Sequence, residues 1–192
     1  MKKKPYLCAN FFVFLDCFNN MTQVIEPIIN RVAQSGIVTL DLERYYPDGE
    51  RVFFDIKAFL FMGLILKEKD FREALKNHDW TQYSGKHVAI GCSTDAIIQL
   101  WAYMLLVSYL SPNAATVVCG GLDSLEAVLW QQALAKGVVP EEYQDKRVVV
   151  KGCGEKVVPP FAYGEVGRLL QPFVKSLMYG EPCSTVPIYK AK

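Results

Sequence analysis

The spacing of apolar and polar residues changes character along the chain. Residues 38–42 alternate apolar with polar, a period of two that predicts a half-buried strand. Residues 51–54 predict a second short strand, paired with the first as a hairpin. Further on, short continuous apolar runs at 88–91, 116–119 and 147–150 are typical of strands buried on both faces.

Helical patterns separate these runs. Apolar residues at helical intervals predict a helix that starts at Ile56, and further helices over 94–110 and 123–136. A last helix is expected to start at Pro159 or Pro160 and to end at Gly180. Strands that alternate with helices predict a Rossmann-like, three-layer α/β fold with a mostly parallel sheet. We expect the two N-terminal strands to extend its edge in the antiparallel sense.

The chain of 192 residues is long enough for one domain. We expect residues 1–20 to be an N-terminal extension of doubtful status, and residues 21–192 to form a single α/β domain with an extended C-terminal tail. The longest apolar run, 96–110, is shorter than the roughly 20 residues of a membrane span. The sequence therefore predicts no membrane partner and a cytoplasmic location.

Charge and cysteine content narrow the classes of function. With 21 basic and 20 acidic residues, the net charge is +1, which argues against a nucleic-acid partner. The chain contains six cysteines, but it is large enough to fold without disulfides. We therefore expect reduced thiols.

Three cysteines form the candidate site. Cys92 and Cys153 follow predicted buried strands, and Cys183 lies in the proline-containing tail. Ligands bind beyond the carboxyl ends of the strands in open parallel sheets, so these thiols are expected to meet there. Three thiolates suit zinc or an iron–sulfur cluster. Cys119, within an apolar run, is interpreted as a core residue.

Other residues support this candidate site. A fourth metal ligand is expected from Asp95, Glu155, Glu181 or an exogenous group. Tyr103 and Tyr163 are expected either to line a pocket or to pack in the core.

Two segments of the chain repeat one pattern. Residues 83–103 and 143–163 match at a shift of 60 positions, and both carry a strand, a cysteine, an acid, an apolar pair and an aromatic-Ala-Tyr sequence. Two similar strand–helix units would explain this match. A pseudo-symmetric site, with two thiols and two carboxylates around one ligand, would explain it equally well.

The residues leave three functions open. The first is an accessory factor for metal or iron–sulfur clusters that uses the three-cysteine site. The second is an enzyme with Cys92 or Cys153 as its nucleophile, for example in sulfur transfer. The third is a binding module whose cysteines only pack. His87 starts a strand that Cys92 follows, so it is expected to lie about 16 Å from that thiol, too far to activate it.

Eight motifs are distributed along the chain: Asn30–Ala33, Ser35–Glu43, Phe54–Lys57, Lys69–Arg72, Asp95–Ile98, Trp101–Met104, Gly152–Cys153 and Gly180–Pro187. Together they resemble a bacterial family of uncharacterised proteins, the domain-of-unknown-function family 2480. The resemblance covers roughly residues 23–190 and implies no assigned activity. The resemblance also implies a genomic context, because genes of such proteins often lie near the iron–sulfur (SUF) assembly genes. This context implies iron–sulfur assembly proteins as partners.

Overall fold

The computed structural model describes residues 36–152 and 154–192. The apolar pattern of residues 24–33 also predicts a short helix. This segment and the predicted N-terminal extension lie outside the described residues. In the described part of the chain, seven strands alternate with four α-helices. The strands are β1 Ile37–Asp41, β2 Arg51–Asp55, β3 His87–Gly91, β4 Thr116–Cys119, β5 Arg147–Lys151, β6 Ser176–Glu181 and β7 Ser184–Lys190. The helices are α1 Glu68–Lys76, α2 Leu100–Leu110, α3 Leu122–Gly137 and α4 Pro160–Leu170.

These strands form two sheets, and almost all neighbours are parallel. Sheet A has the order β1-β5-β6-β7, and sheet B has the order β2-β3-β4. The pair β6–β7 is antiparallel. The α/β class with mostly parallel strands is confirmed, and β1 and β2 lie at sheet edges as expected. Their expected antiparallel sense is wrong, because β1 pairs parallel with β5 and β2 pairs parallel with β3.

Three predicted helices have different bounds in the structure. The helix expected over 94–110 begins only at Leu100. The helix expected from Ile56 is a short 3-10 turn, Ile56–Phe59, and α1 begins only at Glu68. Between them, Met62 and Gly63 have φ values of 52° and 72°, which a right-handed helix cannot contain. The last helix ends at Leu170, so the expected continuation to Gly180 is wrong.

The apolar core is divided between the sheets. Helices α1 and α2 pack on one face of sheet B, where Phe71 and Leu106 meet Ile90. Helix α3 covers the other face of this sheet, where Leu125 and Leu129 form a buried cluster with Ala89. The opposite side of α3 packs against α4 and sheet A and contains the fully buried Trp130. Helix α3 therefore belongs to both cores, and sheet B lies between two helical layers.

The repeat at a shift of 60 positions is a repeat of structure. It superimposes the bounds of β3 on those of β5, those of α2 on those of α4, and β4 on the first part of β6. The connecting hydrogen bonds repeat as well: Gly85 N–H donates to the Asn113 carbonyl at 2.9 Å, and Asp145 N–H donates to the Phe173 carbonyl at 2.9 Å. Two equivalent strand–helix–strand units are therefore present, one in each sheet.

The repeat also includes the first strands. A shift of 14 positions carries β1 onto β2 and the 3-10 turn Leu42–Tyr45 onto Ile56–Phe59. Asp41 and Asp55 each accept a hydrogen bond from the N–H group two residues later. Because β1 belongs to sheet A, residues 51–119, which form the whole of sheet B, are inserted into the unit that forms sheet A. We call this arrangement the nested repeat.

Of the helices in the described residues, none has both the length and the apolar character that are needed to span a lipid bilayer.

Candidate functional site

A cavity of about 510 Å³ lies at the carboxyl edge of sheet B. We call it the thiol cavity, because Cys92 and Cys119 both line it. Cys92 follows β3 and Cys119 ends β4, so strand ends position both thiols. The remaining lining residues are Phe53, Ile90, Gly91, Leu100, Tyr103, Gly120 and Gly121.

The wall of the cavity requires glycine at two positions. A Cβ atom on Gly91 would lie 2.8 Å from the Phe53 ring and 3.3 Å from the Gly120 carbonyl oxygen. Gly120 has a φ of +144°, a conformation that side chains rarely adopt, and its Cβ would lie 2.8 Å from Ser124 Oγ. The backbone therefore approaches closely at the turn from β4 into α3, and this turn forms one side of the cavity.

Asp55 fixes the loop that carries Cys92. Its carboxylate accepts hydrogen bonds from Ser93 N–H at 3.0 Å and from Ser93 Oγ–H at 2.6 Å. It also accepts one from Lys57 N–H at 2.9 Å. Burial opposes ionisation of Asp55, but these hydrogen bonds outweigh it and lower the pKa of the carboxyl group. Asp55 is thus a charged clamp between β2 and the loop after β3.

The groups around the cavity differ in how readily they ionise. Partial burial raises the pKa of the Cys119 thiol, so this thiol stays protonated at neutral pH. Burial also raises the pKa of Tyr103, and negative charge on Cys92 or Cys119 raises it further. The Sγ atom of Cys92 lies 3.2 Å from Thr94 Oγ1. Tyr103 and Thr94 can therefore donate hydrogen bonds to a charged sulfur or to an anionic ligand.

The predicted three-cysteine site is divided between the sheets. Cys92 lies at the edge of sheet B, whereas Cys183 is exposed in the turn between β6 and β7 of sheet A. Cys153 lies outside the described residues. Within 36–152 and 154–192, no three His, Cys, Asp or Glu side chains are grouped so that they could hold a metal ion. The three-cysteine metal site stays a prediction.

The predicted supporting carboxylates lie at the surface. Asp95 is exposed in the loop before α2. Glu155 is also exposed, and its N–H donates to a carboxylate oxygen of Glu43 at 3.1 Å. Glu181, at the end of β6, lies 3.9 Å from the Lys151 ammonium group.

The position in sheet A that is equivalent to the thiol cavity has different chemistry. A cavity of about 470 Å³ lies between α4 and sheet A, and we call it the apolar cavity. Its Tyr163 corresponds to Tyr103, and its Tyr179 stands where the thiol cavity has Cys119. Tyr163 donates its hydroxyl hydrogen to the Gly152 carbonyl at 2.9 Å. Both predicted tyrosines therefore line cavities, but in separate sheets.

Sequence reasoning missed Cys119. The apolar run around it suggested a core position, yet the structure shows an exposed residue in the cavity wall. Its place at the end of a strand, directly before Gly120 and Gly121, was the available signal. The position of His87 agrees with the prediction, since its Nε2 lies 3.0 Å from the Asp48 carbonyl at the opposite end of β3 from Cys92.

The fold and the cavity define an α/β protein built as a nested repeat, with a thiol-lined cavity at the carboxyl edge of one sheet. The family model described as "Protein of unknown function (DUF2480)" matches residues 26–191, and the chain belongs to this family. No curated protein and no solved structure matches the chain.

Proposed function

We propose that this protein binds a small ligand in the thiol cavity and that Cys92 is the group that attacks or coordinates it. The observation that carries the proposal is the convergence of Cys92, Cys119 and Tyr103 on one cavity. Carboxyl ends of parallel strands are where α/β proteins bind their ligands. A volume of about 510 Å³ is within the range of small-molecule sites.

The surrounding groups favour Cys92 over Cys119 as the reactive thiol. The Thr94 hydroxyl lies 3.2 Å from the Cys92 sulfur, close enough to donate a hydrogen bond to it when it attacks or coordinates the ligand. Cys119 has a raised pKa and stays neutral, so it and Tyr103 act as hydrogen-bond donors to the ligand. This arrangement suits an electrophilic or sulfur-containing ligand and a reducing compartment such as the cytoplasm.

The strand register argues against an internal disulfide as the function of the two thiols. Cys119 lies opposite Ile90, two residues before Cys92. Neighbouring strands are about 4.8 Å apart and each residue advances about 3.3 Å, so the two Cα atoms are about 8 Å apart. A disulfide needs a separation below about 7 Å. The pair therefore faces a shared ligand instead of bonding to itself.

Thiol reactivity tests the proposal. Iodoacetamide labelling of the folded protein near neutral pH, followed by peptide mass spectrometry, is expected to modify Cys92 faster than Cys183. Cys183 is the matched control, because it is exposed and lies outside the cavity. Replacing Thr94 by valine is expected to slow labelling of Cys92 alone. Equal rates at Cys92 and Cys183, unchanged by Thr94→Val, would contradict the proposal.

Metal or iron–sulfur handling through Cys92, Cys153 and Cys183 is the second proposal, with iron–sulfur assembly proteins as partners. Its support is the turn between β6 and β7, which carries Cys183 at the carboxyl edge of sheet A. Elemental analysis of protein purified without oxygen is expected to find zinc or iron that is lost in Cys183→Ala and kept in Cys119→Ala. Metal-free protein with freely alkylated thiols would exclude it.

A further inference from the structure

The outer edge of β4 is open in the described structure. β4 is the last strand of sheet B, and no strand of the described residues pairs with its outer side. Gly120 N–H donates inward to the Ile90 carbonyl, so alternation turns the N–H and C=O groups of Thr116 and Val118 toward β3 and those of Val117 and Cys119 outward. An edge of this kind is a template for another strand.

The sequence of β4 contains none of the residues that prevent edge strands from pairing with other strands. Residues 116–119 read Thr-Val-Val-Cys, with no charge and no proline. The other edges carry such residues: β2 begins with Arg51 and ends with Asp55, and β7 contains Pro187. Charges and prolines on edge strands are how proteins prevent edge-to-edge pairing. Their absence from β4 points to a strand partner.

The nested repeat shows what covers the equivalent edge in sheet A. There, β7 pairs antiparallel with β6, the counterpart of β4. Ile188 of β7 also lines the apolar cavity, together with Gly164 of α4. No described residue does this for sheet B. Its helix α2 exposes 80% of Leu100 and 75% of Met104.

These exposed residues lie on the free flank of α2. The opposite flank faces α1 and its following loop, where Trp101 packs edge-to-face against Phe71 and Tyr109 stacks against Trp80. Leu100 and Met104 are one helical turn apart and form an apolar stripe on the side away from α1. An open strand edge and an unpartnered apolar helix flank therefore occur together in sheet B.

We propose that a second copy of this chain covers both features. Two β4 strands would pair antiparallel about a two-fold axis at Val117, so that Thr116 lies opposite Val118 of the other copy. The two three-stranded sheets would become one continuous sheet of six strands. The α2 helices would run side by side on one face, each presenting Leu100 and Met104 to the other.

Self-complementarity is the reason for choosing a second copy as the partner. In a two-fold interface, each surface patch meets its own copy. β4 and the α2 stripe carry no charge that needs an opposite charge, and the antiparallel register satisfies the outward N–H and C=O groups of both strands equally. Cys119 would then lie close to the two-fold axis, which places the two thiol cavities beside the interface.

The oligomeric state of the full chain tests this proposal. Sedimentation velocity over a concentration series is expected to show a dimer for the wild type. Met104→Glu is expected to raise the dissociation constant by at least about tenfold, which corresponds to about 1.4 kcal/mol. Met62→Glu is the matched control, since Met62 is 81% exposed and lies in the loop before α1, outside β4 and α2. Far-UV circular dichroism verifies that both variants are folded.

A disulfide test probes the proposed register. Ala115 is exposed and would lie opposite Cys119 of the other copy. Ala115→Cys is expected to give a covalent dimer under mild oxidation, and Ala115→Cys combined with Cys119→Ser is expected not to. A monomeric wild type, a dimer that is insensitive to Met104→Glu, a dimer that Met62→Glu dissociates, or no covalent dimer with Ala115→Cys would each overturn the proposal.

Discussion

At the residue scale, the thiols show what a single position in a sequence can and cannot reveal. Cys92 was predicted from its place after a buried strand, and the structure places it in a cavity. Cys119 also lies at the end of a strand, but the apolar residues before it suggested a core position instead of a cavity wall. At the last residue of a strand, hydrophobicity does not tell whether the side chain enters the core or a cavity, because the neighbouring helix decides it.

The width of the thiol cavity depends on the absence of a side chain at Gly91. Gly91→Ala is expected to displace the Phe53 ring, because the added Cβ would lie 2.8 Å from it. Overpacking of this kind costs about 1–3 kcal/mol of unfolding free energy. We also expect iodoacetamide to label Cys92 several-fold more slowly. Labelling rates and urea denaturation measure the two effects.

Gly121→Ala is the control for this variant. Gly121 lines the same cavity, but a Cβ there would meet no atom within 4 Å, and its φ of −80° suits alanine. Its labelling rate and unfolding free energy are expected to stay near those of the wild type. Equal effects of the two substitutions would show that Phe53 does not control access to Cys92.

At the element scale, strands were easier to predict than helix ends. β4 has the predicted bounds, because short apolar runs between turn residues leave little choice. The periodic pattern from Ile56 to Leu75 misled, because Leu60 and Leu64 fit a helix by spacing while Gly63, with its positive φ, interrupts it. Similarly, Leu177 continues the stripe of the last helix by spacing, but it belongs to β6.

Helix α3 buries apolar residues on two of its sides, because it serves both sheets. Leu125 contacts the sheet B side, whereas Leu134 lies in the core of sheet A. Replacing either by alanine is expected to cost about 2–5 kcal/mol of unfolding free energy, the usual cost of a cavity in a core. Urea denaturation measures this cost, with the exposed Leu64→Ala as the control.

Because α3 packs against both sheets, a substitution on its sheet A side is also expected to destabilise sheet B. With α3 loosened on its sheet A side, amide hydrogens of β3 in sheet B are expected to exchange faster in Leu134→Ala. Native-state hydrogen exchange reads this directly. Faster exchange confined to β1 and β5 would mean that the two cores unfold independently.

At the scale of the whole molecule, the sequence predicted the α/β class and part of the repeat. It did not predict two sheets, because hydrophobic periodicity reports burial and carries no information on which strands pair. The first strands repeat at a shift of 14, not 60, since one complete unit separates β1 from its partner β5. The sequence therefore revealed the repeat only in the strand–helix segments that match at a shift of 60, and not in the first strands, which match at a different shift.

The nested repeat determines an order of folding. Ile37 of β1 pairs with Arg147 of β5, about 110 positions away, whereas sheet B joins strands that are all within residues 51–119. Closing a long loop costs conformational entropy, and a folded insert shortens the effective loop. Pulse-labelling hydrogen exchange during refolding is therefore expected to protect β3 amides before β5 amides, with the reverse order contradicting this view. The inserted unit would act as a template on which the chain that surrounds it completes its own sheet.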